Sequence, residues 1–285
     1  MLIACVKAEN KSVIKIKNPS STVSEPYIDA TLRVLRYFDF TVHVSYDSRR
    51  RYTEFRVPPE QRGKSFRRGF RVPADMSSAA MIIGATLCSS GKVELPGIDF
   101  RLPQADSLVV DIAKRFGARI RWRRGALIVN VTGGINPDGN HLMQKLDLSG
   151  APDLVPAVVG MACGLNHSVR VENVGHLRFK ESDRLSTIVN GFRKLGVVMR
   201  EGHDSIDIFG VSNISRRKPI LLDPQNDHRM LMAFTIAGLS GRFVAFDILN
   251  PGCVKKSYPN FVSDIQGLCG NEGKKILRIG RALED

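Results

Sequence analysis

Residues 104–120, QADSLVVDIAKRFGARI, and residues 181–199, ESDRLSTIVNGFRKLGVVM, read as one piece of structure written twice. Each opens on polar residues, runs through apolar positions at helical spacing, closes on a large apolar residue and passes into a strand-like run. In the second, Leu185, Ile188, Val189, Phe192 and Leu195 fall on one helix face. Residues 26–42, PYIDATLRVLRYFDFTV, give the pattern a third time, and the matching Phe38, Phe116 and Leu195 lie 78 and 79 positions apart.

A second kind of helix precedes the first. Residues 76–90 (MSSAAMIIGATLCSS), 151–165 (APDLVPAVVGMACGL) and 227–241 (DHRMLMAFTIAGLSG) are apolar nearly all round, which predicts burial on every side. A short β-rich run follows, as in GKVELPG (91–97) or HSVRVENV (167–174), and residues 117–131, GARIRWRRGALIVNV, read as a hairpin. The unit is complete over about 75–133 and 146–212, and partial over 1–72 and 226–285. A period near 75 residues is too long for common solenoids. It predicts an α/β (α+β) fold of repeated βαβαββ units. Pro, Gly and charge gather in residues 56–75, so the expected division is 1–72, the tail of a first, incomplete domain, and 73–285, a second domain. MLIACVKAEN, at the start, reads as the last turns of a buried helix.

The chain has 285 residues, and its 42 Lys and Arg against 28 Asp and Glu leave a formal charge of +14, which favours anionic partners. Arg49 to Arg71 carries nine bases against two acids, half of that excess, interleaved with Tyr52, Phe55, Phe66 and Phe70. Single-stranded nucleic acid is one reading of such a run; a solvated hairpin and connector is the commoner one, and nucleic acid is not the expected partner. Five scattered cysteines with no Cys-x-x-Cys pair suit reduced thiols in a cytoplasmic protein. The six histidines lack metal-ligand spacing, so no metal is expected. No apolar run is long enough for a membrane span, and no membrane partner is expected.

The chemistry gathers at helix starts. In HLRFKESDRL (176–185), Ser182 is a natural N-cap, and Arg178, Lys180 and Arg184 crowd an end that is already positive. His228 and Arg229 open the next buried helix, while Lys255 and Lys256 precede Pro259, a favoured first-turn residue. Three such starts in successive repeats predict a convergent site for an anionic ligand. Asp153 and Glu181, two carboxylates isolated among these bases, suit proton transfer on phosphorylated acids.

RFKESDRL (178–185), NDHRMLMAF (226–234), KSYPNF (256–261), SEPYID (24–29) and PADMSSAA (73–80) together resemble the 5-enolpyruvylshikimate-3-phosphate synthase family, over residues 1 to about 265. The resemblance implies two domains, each of three βαβαββ units, closing on two substrates without a cofactor. It implies transfer of the enolpyruvyl group of phosphoenolpyruvate to the 5-hydroxyl of shikimate 3-phosphate, with release of phosphate. By the same resemblance Arg184, Arg229 and Lys256 would hold phosphoenolpyruvate, and Ser24, Tyr27, Asp153, His176 and Lys180 would contact shikimate 3-phosphate. Asp153 would take the hydroxyl proton; Glu181, assisted by Lys256, would protonate the methylene carbon and later take a proton back. KESDR and DHR favour this family over UDP-N-acetylglucosamine enolpyruvyl transferase; an inactive remnant is a further alternative. The resemblance begins inside the family's fold, with about the first third unmatched, including several substrate-binding residues. It therefore implies a chain that is weakly active or inactive alone, with a complementing N-terminal fragment as a partner.

Overall fold

A sequence that repeats should fold into pieces with one strand order, and the sheets do so. The computed structural model describes residues 1–17, 24–47, 49, 52–64, 69–102, 104–132, 143–211 and 220–276, side chains through 268. The first piece contains α1 (Leu2–Cys5), β1 (Ser12–Lys17), α2 (Glu25–Tyr37), β2 (His43–Tyr46) and β3 (Tyr52–Val57). The second contains α3 (Met76–Ser89), β4 (Lys92–Pro96), a 3-10 turn leading into α4 (Val109–Arg115), β5 (Arg119–Arg123) and β6 (Ala126–Asn130). The third contains β7 (Gln144–Asp147), α5 (Val155–Leu165), β8 (Val169–Glu172), α6 (Arg184–Lys194), β9 (Val197–Glu201) and β10 (Ile206–Val211). The last contains β11 (Ile220–Leu222), α7 (His228–Gly238), β12 (Phe246–Ile248) and α8 (Phe261–Ile276).

The sheet orders are β1-β3-β2, β4-β6-β5 and β7-β8-β10-β9, so each hairpin inserts its second strand beside the strand that precedes the amphipathic helix. β7 with β8, and β11 with β12, are parallel pairs, each joined by a buried helix as its crossover. Phe38, Phe116 and Leu195 occupy the C-cap positions of α2, α4 and α6, the same place in three repeats.

The helices α3, α5 and α7 pack on one another in the middle, with the sheets outside. Small residues allow the approach. A Cβ on Gly160 of α5 would stand 2.7 Å from the Ala233 carbonyl oxygen of α7, and one on Gly191 of α6 would meet the Phe234 ring at 2.3 Å. One large buried cluster runs from Met76 to Ile265, and a small separate one joins Val6, Leu35 and Val57. The buried helix expected at the start is instead a single turn, α1, with no buried residue. Leu2 and Cys5 touch the small cluster, whereas Ile3 and Met1 face outward because that cluster is too small to surround a helix. Of the basic run 49–71, residues 50–51 and 65–68 lie outside the described residues. Among the described residues, no helix is long and apolar enough to cross a membrane.

Candidate active site

Arg184, the first residue of α6, is only 1% exposed, and each branch of its guanidinium reaches a different carboxylate. Nε donates to Asp227 Oδ2 at 2.7 Å, Nη1 to Asp153 Oδ1 at 3.0 Å and Nη2 to Glu181 Oε2 at 2.5 Å. The other cations enter through the same carboxylates. Arg229 donates from Nη2 to Asp153 Oδ2 at 3.3 Å and from Nη1 to the Asp153 carbonyl at 3.1 Å. Lys180 Nζ lies 3.5 Å from Asp153 Oδ1, and Lys256 Nζ donates to Glu181 Oε1 at 3.1 Å. Four cations thus meet three carboxylates, a balance of one positive charge.

The carboxylates are therefore not isolated, as the sequence suggested; they are the counterions of the site. Burial would raise the Asp153 carboxyl, but Arg229, Lys180 and Arg184 together outweigh it and hold the group below its usual range. Burial likewise opposes ionisation of Glu181. A backbone hydrogen bond, Lys256 and Arg184 override it and bring that carboxyl down to about 2. Both are ionised at neutral pH.

Local structure explains how the cations sit at positive helix ends. Asp183 caps α6, accepting from Ser186 N–H, and Asp227 caps α7, accepting from Arg229 N–H. Ser182, the expected cap, instead donates to Asp227 Oδ2 at 3.3 Å. Both are good capping residues, and the adjacent Asp offers the stronger acceptor. Arg178, one of the three crowding bases, bonds Asp183 and Glu201. Lys255 and Lys256 finish a 3-10 turn, Pro251–Lys256, which is the end that suits cations, and α8 begins two residues beyond Pro259.

A second wall carries Tyr27 of α2. Burial first, then Asp106 and Asp153, push its hydroxyl well above the ordinary value, with Arg229 opposing. Asp106 is buried, accepts from Ser77 Oγ, and has one oxygen without a partner among the described residues. Ser24, which precedes α2, donates its N–H to the Ser149 carbonyl at 3.2 Å, tying the first piece to the third. His176 lies in a 3-10 turn, its Nε2 buried without a partner among the described residues; burial and then Lys180 lower its pKa, so it is neutral at pH 7. Among the described residues no group of three His, Cys, Asp or Glu side chains could hold a metal.

This arrangement can bind an anion between Arg229, Lys180 and Lys256 while two ionised carboxylates stand ready to take protons. The family model described as EPSP synthase (3-phosphoshikimate 1-carboxyvinyltransferase) matches residues 1–265. The chain belongs to the EPSP synthase family. It is 32% identical over 279 residues to the 3-phosphoshikimate 1-carboxyvinyltransferase of Methanosarcina acetivorans, covering 98% of this chain and 60% of that one. It is 34% identical over 244 residues to that of Methanopyrus kandleri, covering 85% of this chain and 52% of that one. Among solved structures, an EPSP synthase from Acinetobacter baumannii shares the fold with a TM-score of 0.65 at 22% identity, over 94% of this chain and 59% of that one. The chain spans about 60% of the length of the Methanosarcina relative.

Two residues of this candidate site are not legible from the sequence as members of it. Asp227, fully buried, was seen only as part of the DHR string, although Asp before a helical apolar run is itself a cap signal. Asp106 was read as ordinary helix-start polarity, and nothing local to it shows that Ser77, 29 residues away, becomes its partner.

Proposed function

We propose that this chain supplies the acid–base and cationic wall of an enolpyruvyl-transfer site. The reaction joins the enolpyruvyl group of phosphoenolpyruvate to the 5-hydroxyl of shikimate 3-phosphate and releases phosphate. One observation carries the reading: Asp153, Lys180, Glu181, Arg184, Arg229 and Lys256 belong to one ion network. In the addition step the hydroxyl gives its proton to Asp153, the new C–O bond forms at C2, and C3 gains a proton. In the elimination step C3 loses a proton, the C2–phosphate bond breaks and the double bond returns. Glu181, expected from the resemblance to protonate C3 first, is already ionised, so it suits the base of the second step, with Lys256 beside it as the proton donor of the first. Arg229, Lys180 and Lys256 are the more accessible cations for the substrates' anionic groups. Arg184 uses three of its five N–H groups on carboxylates, so it orients Asp153 and Glu181 and reaches phosphoenolpyruvate only with what remains. Ser24, Tyr27 and His176 are assigned to the shikimate 3-phosphate side.

The separate sheets and separate cores support a division near residue 73 into two domains. Limited proteolysis cutting first within 58–73 is the expected result.

The assay follows phosphate release and product mass with both substrates. It uses the chain alone and the chain supplemented with a polypeptide equivalent to the unmatched 40% of its relatives. The expectation is weak or no turnover alone and clear turnover when supplemented. Asp153→Asn and Glu181→Gln should each reduce turnover at least 100-fold, in line with the contribution of about 10² to 10⁴ typical of a positioned acid or base. No turnover in either preparation, transfer to UDP-N-acetylglucosamine instead, or indifference to both substitutions would overturn the proposal.

A further inference from the structure

A second basic region shares no residue with the ion network. Arg71, Asp99, Phe100, Arg101, Trp122 and Arg124 are among the residues that line a cleft of about 730 Å³, within the usual size range for a small-molecule site. Trp122 on β5 and Phe100 meet edge to face, ring centroids 5.5 Å apart, and both stay about half exposed. Arg101 is clamped by Asp99 at 2.6 Å. Among the described residues, Arg71 and Arg124 have no carboxylate within ion-pair distance. Arg119, Arg121 and Arg123 on the same strand are exposed and add to the positive field.

Arg124 also occupies a costly position. It and Gly125 form the two-residue loop between β5 and β6, with φ of 51° and 76°. Two positive φ values suit Asn-Gly or Gly-Gly; an arginine in the first place is strained. Among the described residues the Arg124 side chain makes no ion pair within the turn, and it lines the adjoining cleft.

We propose that this cleft binds a nucleotide unit, its base stacked on Trp122 and its phosphate held by Arg71 and Arg124. A simple carboxylate would not use an exposed indole, and a hydrocarbon would not use unpaired arginines. A phosphate attached to a flat ring uses both. The unit comes either from a free mononucleotide or from single-stranded nucleic acid.

Trp122 is the sole tryptophan of the chain, so its fluorescence reports on this cleft directly. Adenosine 5′-monophosphate should quench it saturably, at least tenfold more tightly than adenosine or inorganic phosphate. The Arg71→Gln/Arg124→Asn double variant should bind it at least tenfold more weakly while melting no lower than the parent chain; Arg71→Gln alone gives the same direction if the double variant does not fold. Equilibrium dialysis with Trp122→Leu should show the same loss. A ten-residue oligodeoxyadenylate binding more than tenfold tighter than the mononucleotide assigns single strands, with about a 20-fold loss between 50 and 200 mM salt if three arginines meet phosphates. Similar affinities assign the free nucleotide. No saturable quenching by either probe at millimolar concentration, or quenching indifferent to the arginine substitutions, overturns the proposal.

Discussion

The ion network around Arg184 and the cleft beside Trp122 are both rich in cations, and they treat charge in opposite ways. In the first, four cations are spread over three carboxylates, and the central one is buried. In the second, two arginines stand without an ion-pair partner among the described residues, beside an exposed indole. The formal +14 of the chain therefore says little about the candidate active site, which is nearly neutral by itself. What marks that site is burial of opposite charges at helix starts. What marks the cleft is exposure of like charges beside a ring. The two should respond differently to substitution, acid and salt.

Removing charge from the buried centre should have the largest effect. Arg184→Met leaves Asp153, Glu181 and the fully buried Asp227 without their shared partner. Breaking a buried pair from one side costs about 3–5 kcal/mol, because the remaining charge stays desolvated. Urea unfolding should show a loss of that size, and adding Asp227→Asn should restore part of it. A loss under about 1 kcal/mol, the value of an exposed pair, would mean that the network is solvated and the contrast false.

Acid should separate the regions next. Glu181 and Asp153 have folded pKa values below their ordinary ones, so their contribution is fully present above the unfolded pKa. It is lost as pH falls through the folded value. For Glu181 the window runs from 4.5 down to about 2. In the cleft, Asp99 is also held down to about 2 by Arg101, but that arginine is 90% exposed, so the pairing is screened. Glu181→Gln should therefore flatten the fall in stability between those pH values, and Asp99→Asn should leave it nearly unchanged. Equal flattening by both would remove the distinction.

Lys256 tests the margin of the network. Its side chain is 59% exposed, so Lys256→Met should change stability by less than about 1 kcal/mol. If it delivers the proton proposed above, the same substitution should lower turnover of the supplemented preparation at least tenfold. Little change in turnover with normal stability would reduce Lys256 to a counterion of Glu181.

Sequence legibility follows range. The repeat was readable because helix periodicity and the apolar closing residue are local, and Phe38, Phe116 and Leu195 do cap equivalent helices. The buried character of α3, α5 and α7 was readable for the same reason. The partnership of Arg184 with Asp227, 43 residues away, was not, because helix crossings at Gly160 and Gly191 bring those starts together. Choosing Ser182 over Asp183 as the cap failed on a one-residue ambiguity. The cleft was not legible either, because it joins Arg71, Phe100, Trp122 and Arg124 from separate stretches of the chain, and the hairpin pattern of 117–131 does not reveal the positive φ of its turn.

That turn gives the smallest and most pointed prediction. Arg124 sits at φ 51° ahead of Gly125 at φ 76°, and Asn-Gly is the pair that such a loop prefers. Arg124→Asn should therefore stabilise the fold, by about 0.5 kcal/mol from relief of left-handed strain, since asparagine tolerates that region better than arginine. A higher urea midpoint with an unchanged slope would show it. The same variant should bind adenosine 5′-monophosphate more weakly, so stability and binding move in opposite directions at one residue. If stability falls instead, Arg124 is making a structural contact, and the case that the cleft selects an arginine there loses its support. If stability rises while binding holds, Arg71 alone carries the phosphate.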